Sequence, residues 1–300
     1  MATATDGETI QLRHRAEILV AGVAFSLGGL LIRQIEVADA WQILFYRSGF
    51  LALGLALYIA WRTQGAVLDN LRQAGPAGIL GGLCLGISMI AFVWAVTHTT
   101  VANTLFILAA SPFVAAALGW LLIGERVRAR TWSTMLLAGL GIGVMVADGL
   151  VLGHVAGQLA AVICTLGIGA LNVTLRWRRH IDMTSTVLYA AVFSGLVGGL
   201  VAAPSGFAVP LADVGWCLAY GGPIMILGLA LYTHGGRFVP AAEVALLSLS
   251  EVALGPVWVW LALDERPSQL SLAGGAVVLA AVVTQILLGG RPRRLPAPLD

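Results

Sequence analysis

Residues Ala241 to Arg266 read AAEVALLSLSEVALGPVWVWLALDER, an apolar segment long enough to cross a bilayer. Two carboxylates, Glu243 and Glu251, lie inside it. A weaker copy, 140 positions earlier, runs from Val101 to Arg126. The matching pairs are Ala102 and Ala242, Trp120 and Trp260, Leu121 and Leu261, and Glu125-Arg126 and Glu265-Arg266. This internal sequence repeat indicates a duplication, which in membrane proteins is typical of transporters.

The composition places the whole chain in a membrane. Hydrophobic residues make up 59% of the 300 residues and charged residues only 11%, with a mean hydropathy of +0.91. Soluble domains contain about 25% charged residues. Because a span takes roughly 20 apolar residues, about ten spans fit if the connections are short. The first fifteen residues contain no apolar core and do not resemble a signal peptide.

Ten apolar segments are predicted as helices. They are Ala16–Ile35, Ala40–Ala60, Ala74–Thr97, Val101–Ile123, Thr131–Ala147, Ala156–Arg176, Ser185–Ala203, Gly215–Gly235, Ala241–Leu263 and Ser271–Gly289. All 17 basic residues are arginines. If the amino terminus is cytoplasmic, fourteen of them fall on the cytoplasmic side, and the outer loops hold only Arg33 and Arg266. The positive-inside rule therefore predicts that both termini are cytoplasmic.

The repeat offset divides the chain into two units of five helices. We predict a cytoplasmic tail at 1–15, a first repeat at 16–149, a second repeat at 156–289 and a cytoplasmic tail at 290–300. Five is an odd number, so the second unit must be inverted relative to the first, and inverted repeats surround a site near the midplane. Three rows of small residues predict close helix contacts. They are Gly78, Gly82 and Gly86; Gly139 and Gly143; and Gly195 and Gly199.

Several classes of protein are excluded. Without lysine there can be no G-x-x-x-x-G-K nucleotide motif and no retinal-type Schiff base. The sequence contains neither H-E-x-x-H nor G-x-S-x-G, so we expect no enzyme and no catalytic residue. Cys84, Cys164 and Cys217 lie in apolar segments and are expected to be buried small residues. We therefore expect no metal, no cofactor and no nucleic-acid partner.

Three sets of residues point to a known family. They are Pro112-Phe113-Val114 with Gly124-Glu125-Arg126, then Glu251, Pro256 and Asp264-Glu265-Arg266, and finally Phe45-Tyr46-Arg47. Together with the two five-helix units, they resemble the drug/metabolite transporter superfamily in its ten-helix form with two EamA-type repeats, over roughly residues 16 to 289. Val252 follows Glu251 where the family usually has proline, and Asp264 replaces the glycine found at 124.

The resemblance implies an alternating-access carrier of the bacterial inner membrane with a central cavity. Members export amino acids and related metabolites, and some carry cationic drugs. The interpretation we favour is export of small metabolites, above all amino acids, by a monomer in the lipid bilayer. Two alternatives stay open: proton-coupled efflux of cationic or quaternary compounds, and a structural or sensory membrane protein without transport.

The carboxylates of the ninth segment are the first candidates for the site. A charge at mid-membrane costs at least ~2.5 kcal/mol and normally faces protein or a water-filled cavity. Glu243 and Glu251 are ~12 Å apart along a helix and roughly 80° apart around it, so they should act separately. Glu243 could bind a substrate amine or a proton, and either carboxylate could serve proton exchange or gating. A packing glutamate is the alternative for each.

Other polar and aromatic side chains are candidates to line the cavity. They are Ser88, Phe92, Trp94, Asn103, Phe106, Asn172, Tyr232 and His234. Asn103 occupies the position equivalent to Glu243, and its amide could donate to or accept from a substrate. Interhelical hydrogen bonds and interfacial anchoring are the competing interpretations. For Arg47, pairing with Asp39 or Glu36 is the favoured one. Glu125-Arg126 and Glu265-Arg266 are expected at opposite membrane surfaces, in fixed ion pairs or as gates.

Overall fold

Capping residues or a proline mark the start of some helices, namely Asp39 before α2, Thr100 before α4 and Pro112 at the start of α5. A computed structural model of the chain describes residues 4–124, 129–177, 183–235, 239 and 241–289. Within these ranges the side chains of 4–11, 123, 130, 151–152, 175–177, 183, 233, 241–243, 245–246 and 286–289 are not described. Twelve helices are present in these ranges. They are α1 (Ala4–Arg33), α2 (Ala40–Arg62), α3 (Val67–His98), α4 (Val101–Leu108), α5 (Ser111–Ile123), α6 (Ala129–Leu152), α7 (Val155–Trp177), α8 (Met183–Ala202), α9 (Leu211–Ala219), α10 (Met225–Gly235), α11 (Ala241–Leu263) and α12 (Gln269–Gly289).

The apolar helices confirm an all-α integral membrane protein. Eight segments are long and apolar enough to span a bilayer, counting α4 with α5 and α9 with α10 as one segment each. The described parts of the last two helices add the shorter apolar stretches Leu247–Leu263 and Gln269–Gln285. The ten predicted segments thus all correspond to helical segments, while the count of ten spans stays a prediction.

Three predicted spans are interrupted next to prolines, and in α3 the interruption is at Gly75, whose φ is 61°, directly before Pro76. The fourth divides at Ala109 and Ala110, because Pro112 lacks the N–H that would continue the helix ladder. The eighth begins earlier than predicted, at Leu211, and opens into a wide π turn at Tyr220–Ile224, which includes Pro223. The broken spans expose backbone and re-aim side chains inside the bundle.

Small residues mark some of the close helix crossings, as predicted, and not others. A Cβ added at Gly82 or Gly86 would collide with α8, and one at Gly199 would collide with the Phe45 ring of α2. Gly139 and Gly143 have open space where a Cβ would be, so that predicted row is wrong. The contact made by α6 is two positions away from each of these glycines, where Gly141 meets Gly274 of α12.

The helix pairings come in matched sets. Under the repeat, the contact of α3 with α7 corresponds to that of α10 with α1. The contact of α5 with α7 likewise corresponds to that of α11 with α1. The pairs α2–α8 and α6–α12 join helices in corresponding positions of the two halves. We call the end of the bundle where the transmembrane part of α1 begins the near end, and the end where α1 stops at Arg33 the far end. The centre, between these ends, includes the contact of α2 with the π turn.

Candidate functional site

Arg47 is buried in the middle of the bundle. It lies seven residues after the start of α2, about 10 Å along the helix, and only 2% of it is exposed. The predicted pairing with Asp39 or Glu36 is wrong. The Asp39 carboxylate instead accepts hydrogen bonds from the backbone N–H groups of Trp41 and Gln42, at 2.8 and 2.9 Å, and caps α2. Capping fixes Asp39 at the helix end, two turns away from the guanidinium.

The guanidinium of Arg47 lies over an aromatic ring that the π turn supplies. Its Cζ is 4.7 Å from the centroid of the Tyr220 ring. Within the part of the chain that the structure describes, Arg47 Nε and Nη1 are buried and have no hydrogen-bond partner. A cation–π contact contributes about 0.5–2 kcal/mol, whereas an unsatisfied buried donor costs about 1–3 kcal/mol. Two of the three guanidinium nitrogens of Arg47 therefore have unused hydrogen-bond donors.

Glycine allows this arrangement. A Cβ at Gly221 would overlap the carbonyl oxygen of Arg47 and lie 2.8 Å from its carbonyl carbon. A Cβ at Gly28 of α1 would lie 2.7 Å from the Tyr220 hydroxyl oxygen. The π turn thus fits between α2 and α1 at the depth of Arg47, and the Tyr220 ring is held between the guanidinium and α1.

Glu251 brings a carboxylate to the same region. It is the eleventh residue of α11 and is partly accessible, although it lies in the middle of a span. Among the described side chains it forms neither a hydrogen bond nor an ion pair. It is close enough to act electrostatically on Tyr220, Tyr232 and Cys164. Arg47 is also within electrostatic range of Tyr220 and Cys164, so both charged groups lie in the neighbourhood of these two side chains.

Of the predicted cavity residues whose side chains are described, Ser88 and Tyr232 lie near this central cluster. The Tyr232 side chain lies near Ser248 of α11 and packs against Phe25 of α1, with ring centroids 6.3 Å apart. Ser88 hydrogen-bonds to the Cys164 carbonyl and so fixes α3 against α7. Phe106 packs against Gly275 of α12. Phe92 is partly buried against the main apolar core, and Asn172 is partly buried on α7.

The remaining candidates lie at the two ends of the bundle. Asn103 is buried at the start of α4, where its Nδ2 donates to Thr99 Oγ1 at 3.3 Å. Trp94 stacks on His98, with centroids 4.0 Å apart. His234 is at the near end, close to Glu17. The side chain of Glu243 lies outside the described residues, so its predicted role stays untested.

Charged contacts hold both ends. At the far end the Arg33 Nε is 3.0 Å from a carboxylate oxygen of Glu265, and Arg33 Nη2 donates to the Thr99 carbonyl at 2.7 Å. The other oxygen of Glu265 accepts from the Val101 N–H at 2.9 Å. We call Arg33, Glu265, Thr99 and Val101 the far-end clamp. At the near end the Glu17 carboxylate joins α1 to α10 through His234.

Tyr220 and Glu17 are functional candidates that the sequence interpretation missed. For Tyr220 the available signal was the Gly-Gly-Pro run at 221–223 inside an apolar segment, which predicts a break that would re-aim the preceding ring. For Glu17 the available signal was its position three residues after His14, which places both side chains on one face of a helix. No local sequence pattern indicated that His234 would contact His14 and Glu17.

Comparison with known proteins agrees with this architecture. The EamA-like transporter family matches residues 17–147. The pseudopaline exporter CntI of Pseudomonas aeruginosa strain UCBPP-PA14 is 28% identical over 277 residues, covering 88% of this chain and 93% of the relative. The same exporter from strain PAO1 is 27% identical with the same coverage. A protein of known crystal structure aligns with a TM-score of 0.65 at 18% identity, over 93% of this chain and 99% of its own, which supports the fold.

The EamA match and the exporter relatives indicate a small-molecule transporter and not an enzyme. Over residues 17–147 the chain matches the EamA-like transporter family, and it resembles the drug/metabolite transporter superfamily. This assignment sets aside the alternative of a membrane protein without transport.

Proposed function

We propose that this protein exports small metabolites carrying both a carboxylate and an amine, above all amino acids, by alternating access in a bacterial inner membrane. The observation that carries the proposal is the central pair of opposite charges, Arg47 and Glu251, neither of which has an ionic partner among the described residues. A zwitterion supplies the missing partner of each. An apolar ligand would leave both charges uncompensated, and a singly charged ligand would leave one.

The chemistry of each group fits one end of such a substrate. The planar guanidinium of Arg47 can bind a carboxylate through two parallel hydrogen bonds. Each charge-assisted hydrogen bond contributes about 1.5–3 kcal/mol, and here it also removes the cost of an unsatisfied buried donor. Glu251 would accept hydrogen bonds from the ammonium group. Tyr220 and Tyr232 would pack against the aliphatic part of the substrate.

Alternating access would come from two inverted units, residues 16–149 and 156–289. The matched helix pairings described above support this division. α1 takes part in the contacts at both ends, since Glu17 and Arg33 are 16 residues, or ~24 Å, apart along it. Rocking α1 against its neighbours would therefore open one end while the other is held. The arginine distribution supports cytoplasmic termini, which makes the near end cytoplasmic.

The relatives support the direction of transport. Both are exporters, and the molecule in their name, pseudopaline, is a small metabolite rather than a macromolecule. We propose a monomer in the lipid bilayer that needs no nucleotide-driven motor.

The test is a competition measurement in proteoliposomes. A panel of labelled amino acids identifies a transported one, and its amide and its N-acetyl derivative are then added as competitors. The amide lacks the carboxylate for Arg47, and the N-acetyl form lacks the ammonium for Glu251. We expect both to compete at least tenfold more weakly than the free amino acid. Equal competition by all three would refute recognition of both charges.

An imposed pH gradient separates this proposal from the alternative, efflux of cationic compounds in exchange for protons. The unpaired, partly accessible carboxylate of Glu251 is what favours that alternative. Flux of quaternary amines that follows the gradient and disappears in Glu251→Gln, with no amino-acid flux, would establish it. Glu36→Gln is the matched control, because Glu36 is exposed at the far end.

A further inference from the structure

Three side chains at the near end present metal-binding atoms to one point. Nδ1 of His14 lies 3.1 Å from Oε2 of Glu17, and Nδ1 of His234 lies 2.8 Å from the same oxygen. The three atoms all lie within 4.8 Å of one another. His14 and Glu17 are one turn apart on α1, and His234 is the penultimate residue of α10. The cluster therefore bridges two helices that are distant in sequence.

The backbone holds this cluster together. A Cβ added at Gly235 would lie 2.8 Å from the carbonyl oxygen of His14 and 3.3 Å from Cβ of Glu17. α10 thus ends in direct contact with α1, and the two imidazole rings are held with centroids 5.4 Å apart. His14 is buried and the Glu17 side chain is only 12% exposed, but the His234 side chain is 53% exposed. An ion can reach the cluster from solvent past His234.

Two imidazole nitrogens and one carboxylate oxygen are a ligand set that suits borderline transition-metal ions, Zn²⁺ above all. Ligand atoms around tetrahedral zinc, at bond lengths of about 2.0–2.1 Å, are separated by a little over 3 Å. Two of the three separations here are already near that value. Movement of the exposed His234 ring would adjust the third. A water molecule would complete the coordination.

The protons can be accounted for. Where Nδ1 of a neutral imidazole donates to Glu17, metal binding requires that the proton pass to Nε2 of the same ring, which exchange with solvent permits. Glu17 binds as a carboxylate without further change. Arg13 contacts the other oxygen, Oε1, at 3.3 Å and leaves Oε2 to the ion. Its side chain is 75% exposed, so solvent screens most of its repulsion of a divalent cation.

From this geometry we propose that His14, Glu17 and His234 form a binding site for a divalent transition-metal ion that bridges α1 and α10. The sequence interpretation expected no metal site. The proposal does not depend on the substrate of the transporter, because it concerns binding at one end of the bundle.

The test measures metal binding by the full-length protein in lipid nanodiscs after removal of any histidine tag. Zn²⁺ is titrated in competition with a chromophoric chelator, and Co²⁺ is titrated separately to record its visible absorption. We expect one tight site per chain. His14→Ala and His234→Ala should each weaken Zn²⁺ binding at least tenfold and abolish the Co²⁺ band.

His98→Ala is the matched control, because His98 is exposed at the far end and stacks on Trp94. It should bind Zn²⁺ as tightly as the wild type. His234→Gln keeps a polar side chain of similar length and serves if the alanine variant does not fold. The proposal is overturned if the wild type shows no saturable binding, or if either His234 variant retains wild-type affinity.

Discussion

The guanidinium of Arg47 lies 4.7 Å from the centroid of the Tyr220 ring, and two of its nitrogens, Nε and Nη1, have no hydrogen-bond partner among the described residues. A buried charge with unsatisfied donors lowers the stability of the fold, because the cation–π contact with Tyr220 offsets only part of its desolvation cost. Sites that bind a charged ligand often show this conflict between stability and function.

Replacement of Arg47 by methionine should therefore stabilise the protein and abolish transport. Relief of the unsatisfied donors outweighs loss of the cation–π contact by roughly 1 kcal/mol, which should raise Tm by a few degrees. Thermal unfolding and amino-acid flux would be measured on the same preparations. Arg62→Met is the control on the same helix, because Arg62 is exposed and lies over Tyr58 at 5.9 Å. A lowered Tm with normal flux in Arg47→Met would contradict the assignment.

Gly221→Ala should destabilise the protein, because the added methyl group would overlap the backbone of Arg47. Overpacking of this kind costs about 1–3 kcal/mol, and separating the π turn from α2 should also weaken substrate binding. The measurements are Tm and the apparent KM for flux. Gly215→Ala, two turns earlier in α9, has open space for the methyl group and should leave both unchanged. Equal Tm values for the two variants would show that the π turn can move away without cost.

Much of the fold could be predicted because it depends on local patterns. Apolar length indicated each helical segment, and Asp39 with Gln42 formed the capping box that begins α2. The breaks at Pro112 and Pro223 were less predictable, since prolines within membrane helices can be accommodated in several ways. The row Gly139 and Gly143 was wrong for a related reason: glycine is common in membrane helices whether or not a neighbour approaches.

The site could be predicted only in part. Glu251 stood out because a carboxylate inside an apolar span is costly wherever the fold places it. Arg47 was assigned to a surface ion pair because the capping box of Asp39 and Gln42, which uses the Asp39 carboxylate as a helix cap, was overlooked. Tyr220 faces Arg47 only because the π turn brings residues 173 positions apart together. Contacts of this kind depend on tertiary packing, which local sequence patterns do not specify.

Neutralising Glu265 should loosen the far-end clamp. In Glu265→Gln the amide oxygen can still accept from the Val101 N–H, but the charge that attracts Arg33 is lost. Since a partly exposed ion pair contributes about 0.2–1 kcal/mol, the population of the state open at the far end should rise several-fold at most. Electron spin resonance distances between labels at the exposed Val37 and Leu270 would report the opening.

The matched control for that experiment is Asp264→Asn. Asp264 also pairs with an arginine, Arg266, at 3.0 Å, but both side chains are more than 70% exposed. Its distance distribution should equal that of the wild type. If Glu265→Gln also gives an unchanged distribution, the clamp holds a fixed structure and is not a gate.

Occupation of the near-end metal site should slow transport, because an ion bound to His14, Glu17 and His234 would hold α1 and α10 together while alternating access requires them to separate. Zn²⁺ applied to the near-end side of oriented proteoliposomes should reduce wild-type flux, and a chelator should restore it. His234→Ala should transport in the presence of Zn²⁺ at its metal-free rate, whereas His98→Ala should be inhibited like the wild type. If Zn²⁺ binds as measured in nanodiscs and flux is unaffected, α1 and α10 move as one body, and the near end must open between other helices.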